Sequence, residues 1–419
     1  LIFRANIYKL LFMKKVRKYA YYFLFALILL YGIVSRFVVL SETKMALDIV
    51  NDAEEYFTYA KNLSLHNTYG LNNSSEGNVI KDSKRPPGFP FFASLFYDGD
   101  DTGSVKPVLF FQTLIQIIIL TVFSLMCFKY FGKPLTLIIS FLIWTHPVFM
   151  SLNTYYLTES LFLSSLLAVA MIFTLLISEK NRGQFYTFGI LLGTAAAASS
   201  YIRSTMDYYI FFIAIILLVI DRRLLKKFLP ALAAFIFLAF AWKARNYFSF
   251  GSFGDNHLMI NGLFHGSYPD FIYNKMHESL GFAYKYDPHE KEYYEGIKAT
   301  LSLIWSRIKE SPSEYAYWYL LGKQFFLWQW SEIVGGDIFI YKFLTSPFTY
   351  AKDLIFFHSL HKFLNPFIMT TGVLYSYFII FKGIIKKSKP DVKFIFSSFV
   401  VYASLFHVVA APYPRYGYP

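Results

Sequence analysis

The sequence predicts an all-α polytopic membrane protein with about nine or more transmembrane helices and amphipathic helices outside the bilayer. Composition is the first observation behind this. The chain of 419 residues is 56% hydrophobic, 21% aromatic and only 16% charged, too apolar and too poor in charge for a water-soluble domain. The second is the length of its apolar runs, several of which match the roughly 20 residues a helix needs to cross the hydrocarbon core. The third is the alternation of charge type between those runs.

The runs fall at 19–40, 107–128, 134–150, 157–177, 184–201, 208–220, 228–242, 363–381 and 392–411, the sixth being short and able to borrow "MDYY" at its start. Basic clusters sit at Lys14/Lys15/Arg17/Lys18, Lys129/Lys133, Lys180/Arg182, Arg222/Arg223/Lys226/Lys227 and Lys382/Lys386/Lys387/Lys389. The positive-inside rule assigns all of these to the cytoplasm, and with the N-terminus inside every crossing alternates without conflict. The net charge of +13 is therefore read as membrane topology, and no nucleic-acid partner is inferred. Cys127 is the only cysteine, which excludes a disulfide framework and a thiolate metal site.

Parity leaves 41–106, 146–158, 202–207, 243–362 and 412–419 on the far side, with nearly all the acidic residues. The chain divides accordingly into a cytoplasmic N-terminus (1–18), a core of spans (19–242) with its first loop at 41–106, a helical and interfacial region (243–362), and C-terminal spans (363–419). The opening at Leu1, the alternative start "MKKVRKY" at Met13 and the abrupt end "APYPRYGYP" read as a fragment.

The first loop holds "NDAEEYFTYAKNL", with Ala53, Tyr56, Phe57, Ala60 and Leu63 at helical spacing. Asp52 followed by Glu55 is a capping-box pattern, so Asp52 reads either as a helix cap or as a chemically active acid. "KRPPGFPFF" predicts an extended turn, because each proline removes a donor and restrains its predecessor. Further on, Tyr294, Ile297, Leu301, Ile304 and Ile308 form one apolar stripe, and the aromatics of "EYAYWYLLGKQFFLWQW" suit a headgroup layer.

Arg85, Arg203, Lys243, Arg245 and Arg415 lie at span ends or far-side loops, against the topological bias for cations. Arginine presents a fork of donors matched to phosphate oxygens, whereas the plainer reading is snorkelling to headgroups. Asn246 beside Arg245 and Tyr416 beside Arg415 join this set. Glu159, at the mouth of the fourth run, reads as a hydroxyl-orienting, arginine-pairing or metal-binding carboxylate, or as a helix-terminal charge with Thr158 as cap. His66, His257, His265, His289, His358 and His361 show no metal-ligand spacing.

In order and on one side, "NDAEEYFTYAKNL", "RPPGFPFFASLF", "NTYYLTESLFL", "YIRST", "WKARNYFSFGSF" and "YPRYGYP" give the chain a resemblance from about residue 19 onward. It resembles the GT-C superfamily of membrane glycosyltransferases, in the branch of the protein O-mannosyltransferases and the lipid A aminoarabinose transferase. The resemblance implies a GT-C type bundle in the plasma (inner) membrane with its site facing the periplasm or exterior. It implies sugar transfer from a polyprenyl-phosphate carrier to an acceptor hydroxyl on a glycan, lipid or protein, with inversion. An acidic residue of the first loop would be the general base. Many relatives have adjacent Asp-Glu there, whereas this chain has "DAEE", so the base is Asp52 or else Glu55 or Glu54, with Asp48 also open. Some relatives carry a divalent ion near the site, which leaves a metal cofactor open. A transporter or flippase of lipid-linked sugars is the alternative, with a polysaccharide polymerase or ligase third. Charges at span ends and no detectable repeat favour surface chemistry over a conduit.

Overall fold

A computed structural model describes residues 2–45, 51–72, 78–101, 103–254, 257–329 and 344–413. Helices dominate: α1 (Ile2–Glu42), α2 (Asp52–His66), α3 (Gly88–Ser94), α4 (Val105–Phe131), α5 (Lys133–Trp144), α6 (Pro147–Ser151), α7 (Glu159–Ser178), α8 (Arg182–Ile202), α9 (Tyr209–Ile220) and α10 (Arg222–Phe250). After these come α11 (His257–His265), α12 (Glu290–Tyr293), α13 (Ile297–Glu310), α14 (Pro312–Tyr317), α15 (Lys323–Trp328), α16 (Lys352–Lys386) and α17 (Val392–Val409). Four short strands, β1 (Lys44–Met45), β2 (Gly70–Asn72), β3 (Val79–Lys81) and β4 (Leu344–Thr345), pair antiparallel as β1–β4 and β2–β3.

Among the described residues seven helices are long and apolar enough to cross a membrane: Tyr19–Glu42 within α1, α4, α7, Gly183–Ile202 within α8, α10, α16 and α17. The pair α5 and Pro147–Thr154, bent by 51° at its break, passes the same test as one unit, in the form of a broken span or a re-entrant loop, and Ser204–Ile220 is a shorter apolar stretch, the ninth segment. All nine coincide with the apolar runs of the sequence. The basic turns restart helices through polar caps. The Asn181 side chain accepts from the amides of Gly183 and Gln184, Asp221 from Arg223 and Leu224, and Asp391 from Phe394.

The chain divides into two compact units. The first comprises Leu1–Glu55, Phe96–Met171 and Glu332–Phe363. Its apolar centre includes Val39, Met150, Phe348 and Leu354, and a polar network runs beside it. Arg36, fully buried in a span, donates from Nε to Gln116 Oε1 (2.8 Å) and from Nη1 to the carbonyls of Gly32 (2.9 Å) and Trp144 (3.1 Å). It thus occupies orphan carbonyls at the end of α5, where the span breaks. Its guanidinium also lies 4.8 Å from the Trp144 ring centroid.

The second unit comprises Tyr56–Leu95, Ile172–Ser331 and Leu364–Pro419. Its spans α8 and α10 run parallel along a small-residue seam. A Cβ on Gly193 would sit 2.2 Å from the Ala231 carbonyl and 2.8 Å from the Ala234 methyl, so only glycine permits this approach. Ile216, Ile220, Ile380, Phe394 and Val401 form a further core.

Two modules of this unit stand outside the spans. In the first, the Tyr59 and Tyr69 rings stack at 4.5 Å, and Tyr59 Oη donates to Asp82 Oδ2 (2.6 Å) behind the β2–β3 hairpin. In the second, Ile260, Phe264, Tyr268, Ala283, Tyr293 and Ile304 form the core. Within that core Arg307 Nη2 pairs with Asp287 Oδ2, which also accepts from Tyr268 Oη (2.6 Å), and Arg307 Nη1 donates to Ser267 Oγ (3.2 Å).

Two details differ from the expected local structure. Helix α2 begins at Asp52 itself, after Asn51 in left-handed conformation (φ 57°), so the position before the helix belongs to Asn51. The apolar stripe expected on α13 is split: Ile304 is buried, whereas Ile297 and Leu301 are exposed. Local periodicity could not tell which part of a broad apolar face the module would cover.

Candidate functional site

Of the expected acids, Asp52 and Glu55 lie in the first turn of α2, both half-buried, with Glu54 exposed between them. Glu159 opens α7 and is buried. The preceding stretch 152–158 is buried throughout although it leaves α-helical geometry. Its backbone is satisfied by an amide on α4: Gln112 Nε2 donates to the carbonyls of Asn153 (2.9 Å) and Tyr155 (3.0 Å). Asn153 Nδ2 donates to Gln116 Oε1 (2.8 Å), and Ser160 Oγ donates to Asn153 Oδ1 (2.5 Å). The same Gln116 oxygen accepts from Arg36, so one chain of hydrogen bonds connects a buried cation in α1 to the first turn of α7. Thr158 Oγ1 donates to Glu159 Oε2 (3.3 Å) and its carbonyl accepts the Phe162 amide (2.8 Å).

These four acids belong to the first unit, and the described cations of the expected set belong to the second. Arg203 follows α8 in extended conformation (φ −145°), its amide bonded to the Ser199 carbonyl at 2.9 Å. Nearby, Ser200 Oγ donates to Asp207 Oδ1. On α10, Lys243 and Asn246 share a surface. A Cβ built on Gly254 (φ 156°) would lie 3.6 Å from Lys243 Nζ and 3.7 Å from Asn246 Nδ2. The glycine lets the chain turn beside both donors without a side chain covering them.

Arg245 is engaged differently. Its Nη1 donates to the Asp82 carbonyl (2.9 Å) and to Asn246 Oδ1 (3.0 Å), and its Nη2 to the Tyr69 carbonyl (3.0 Å). Those carbonyls flank the two ends of the β2–β3 hairpin. Its charge lies 4.9 Å from the Trp242 ring centroid and 5.3 Å from that of Phe250. Burial pushes the Tyr69 hydroxyl's pKa well up, with the Tyr56 hydroxyl and Asp82 adding to it and Arg245 opposing it. Arg85 stands 5.2 Å over the Tyr56 ring, and its carbonyl accepts from Tyr69 Oη (2.8 Å). The remaining candidates, Arg415, Tyr416 and Asp48, lie outside the described residues.

Three features escaped the sequence reading. Arg36 sits inside an apolar run, a position where an ionised group is costly enough to be a signal in itself. Gln112 and Gln116 recur one helical turn apart on α4, a spacing that places two amides on one face. His146 and His361 approach to 4.7 Å between ring centroids, with Thr145 Oγ1 2.9 Å from His361 Nε2. No cluster of three or more His, Cys, Asp or Glu side chains among the described residues is placed to hold a metal ion.

Residues 84–243 match the family described as dolichyl-phosphate-mannose-protein mannosyltransferase. That span runs from the proline-rich turn before α3 through Lys243 on α10. No curated protein sequence matches the chain. Among solved structures, it is similar to the archaeal oligosaccharyltransferase AglB from Archaeoglobus fulgidus, determined with an inhibitory peptide and a dolichol-phosphate. The TM-score is 0.51 at 13% identity, over 96% of this chain and 49% of that one. The chain thus spans about half the length of that enzyme. In fold the chain is of the GT-C type, and over residues 84–243 it is similar to the dolichyl-phosphate-mannose-protein mannosyltransferases.

Proposed function

We propose that the protein is a membrane glycosyltransferase that moves a sugar from a polyprenyl-phosphate carrier to an acceptor hydroxyl on the non-cytoplasmic face of the plasma membrane. The observation that carries this reading is the GT-C fold combined with cations at the ends of two adjacent parallel spans. These are Arg203 after α8 and Lys243, with the Asn246 amide, on α10. A departing phosphate needs positive charge and hydrogen-bond donors where it leaves, and the two span ends supply both.

In the proposed reaction the Asp52 carboxylate removes the acceptor O–H proton as that oxygen attacks the anomeric carbon. The bond from the anomeric carbon to the phosphate oxygen breaks, and its electron pair stays on the phosphate. One displacement inverts the anomeric centre and yields glycosylated acceptor and polyprenyl phosphate, with the proton left on Asp52. Glu55 is the alternative base. Glu159, held in its buried turn, orients hydroxyl groups. Arg85, Arg203, Lys243 and Asn246 bind the phosphate, Arg415 and Tyr416 being assigned the same role from the sequence alone, while Arg245 holds the first loop against α10. The transporter alternative would need charge in the middle of a span. The buried Arg36 is committed to Gln116 and backbone carbonyls, which suits an architectural role.

The test is sugar transfer by membranes supplied with radiolabelled hexosyl polyprenyl phosphates. Asp52→Asn is expected to lower turnover by roughly 10²–10⁴-fold with unchanged expression and thermal stability, and Asp52→Glu to keep part of it. Full turnover in Asp52→Asn with loss in Glu55→Gln would move the base one turn along α2. Label that crosses the bilayer still attached to its carrier, with no transfer, would replace the enzyme reading by the transporter.

A further inference from the structure

Helix α13 carries an apolar face wider than its module covers. Thr300 and Ile304 are buried, with Leu303 and Ile308 half-buried, against the core of Ile260, Phe264 and Tyr293. Ile297, Leu301 and Trp305, successive at a spacing of four, are 40%, 51% and 57% exposed. At 3.6 residues per turn these three fill an arc of about 80° adjoining the packed side. Lys298 and Lys309, both exposed, follow at the outer margin of that arc, and Lys309 Nζ lies 5.7 Å from the Trp305 ring centroid. Ser302, Ser306 and Glu310 take the opposite, exposed side.

The exposed apolar character continues into the next helices. Tyr317, Leu320, Leu321 and Phe325 are 56%, 71%, 52% and 68% exposed. This limb is seated on a membrane span. Trp328 Nε1 donates to Ser404 Oγ and Gln324 Nε2 to the Ser404 carbonyl, each at 3.0 Å. Lys323 Nζ donates to the carbonyls of Val408 (2.8 Å), Val409 and Ala410 (both 3.2 Å), at the terminus of α17. Ser404 lies roughly 7 Å below that terminus at 1.5 Å per residue, so α15 descends along α17 into the bilayer. Only Ser311 separates α13 from α14, and Trp318 Nε1 donates to the Gly266 carbonyl (2.9 Å), tying the limb to the module.

We propose that the shoulder formed by Ile297, Leu301 and Trp305 docks into the headgroup–acyl boundary of the leaflet that α15 enters, with Lys298 and Lys309 reaching lipid phosphates. The hydrogen bonds that seat α15 on the α17 span, in a limb joined to α13 through Ser311 alone, select the bilayer as its occupant. An apolar arc bordered by lysines, with a tryptophan between, is what an interfacial helix presents.

The test uses the full chain in vesicles of phosphatidylcholine and phosphatidylglycerol. A nitroxide is placed at Leu301→Cys or, as the water-facing control, at Ser302→Cys, each in a Cys127→Ser background. Relaxation by oxygen and by a water-soluble nickel chelate reports depth. The label at 301 is expected to favour oxygen severalfold over the label at 302, and Trp305→Phe to remove part of the tryptophan quenching by bromolipids. Equal access of the nickel chelate to both labels would overturn the proposal. So would low access of both reagents at 301 with spin–spin broadening, which would place a second copy of the chain on this face.

Discussion

The first loop module, residues 56–95, takes its anchoring cation from a neighbouring span, whereas the second, around α11–α13, contains both partners of its own ion pair. Arg245 reaches from α10 to the backbone carbonyls at the two ends of the β2–β3 hairpin. Arg307 meets Asp287 inside the module, with Asp287 1% and Arg307 16% exposed. A hairpin of two three-residue strands has too little core to hold itself, so it borrows rigidity from a membrane helix. The second module has a core of its own and can enclose a charge pair. The first loop is therefore an extension of the span, and the second is closer to an independent body leaning on it.

Four perturbations test that contrast. Arg307→Ala leaves Asp287 buried without its partner and is expected to cost the second module about 3–5 kcal/mol, seen as cleavage of 257–317 by limited proteolysis. The pair replaced together, Arg307→Met with Asp287→Leu, should recover most of that loss; failure to recover would mean the pair specifies the module rather than merely filling it. Arg245→Ala should cost roughly 2 kcal/mol, because two carbonyls lose a charged donor at a site partly open to solvent. The change should appear as faster amide exchange across Gly70–Lys81 with little change in the second module. The smallest effect concerns acid. Burial lowers the pKa of His265 to about 4, where its ring stacks on Tyr284 at 4.2 Å and meets Tyr413 Oη at 3.0 Å. The unfolded chain binds this proton first as pH falls, so the stabilisation is complete above the ordinary value and drains away as pH drops toward the folded one. Thermal unfolding should show about 1 kcal/mol lost by about pH 5.5, and His265→Gln should flatten that slope. The Arg245 clamp, which does not titrate there, should be indifferent.

Much of the architecture was legible because hydropathy acts span by span. All nine apolar runs correspond to helical segments, including the short one at Ser204–Ile220, and alternation of charge needed no knowledge of packing. The candidate site was legible only as residue types. Arg245 stood out as a cation in a disfavoured place, yet its acceptors are main-chain carbonyls, to which no side-chain pattern points. Asp52 and Glu55 were visible as acids, whereas the neighbouring role of Asn51 depends on a left-handed backbone that sequence does not print. On α13, periodicity located the apolar residues and could not divide them between protein and lipid, because both reward the same side chains.

The seam at Gly193 sets the spacing of residues some distance away. Where lipid surrounds both partners, burying a methyl gains nothing over leaving it in acyl chains, so α8 and α10 stay together through close contact rather than through the exclusion of water. A contact that tight has one register. The tips that carry Arg203 and Lys243 are therefore spaced by bare backbone further down the two rods, where the Ala231 carbonyl meets Gly193.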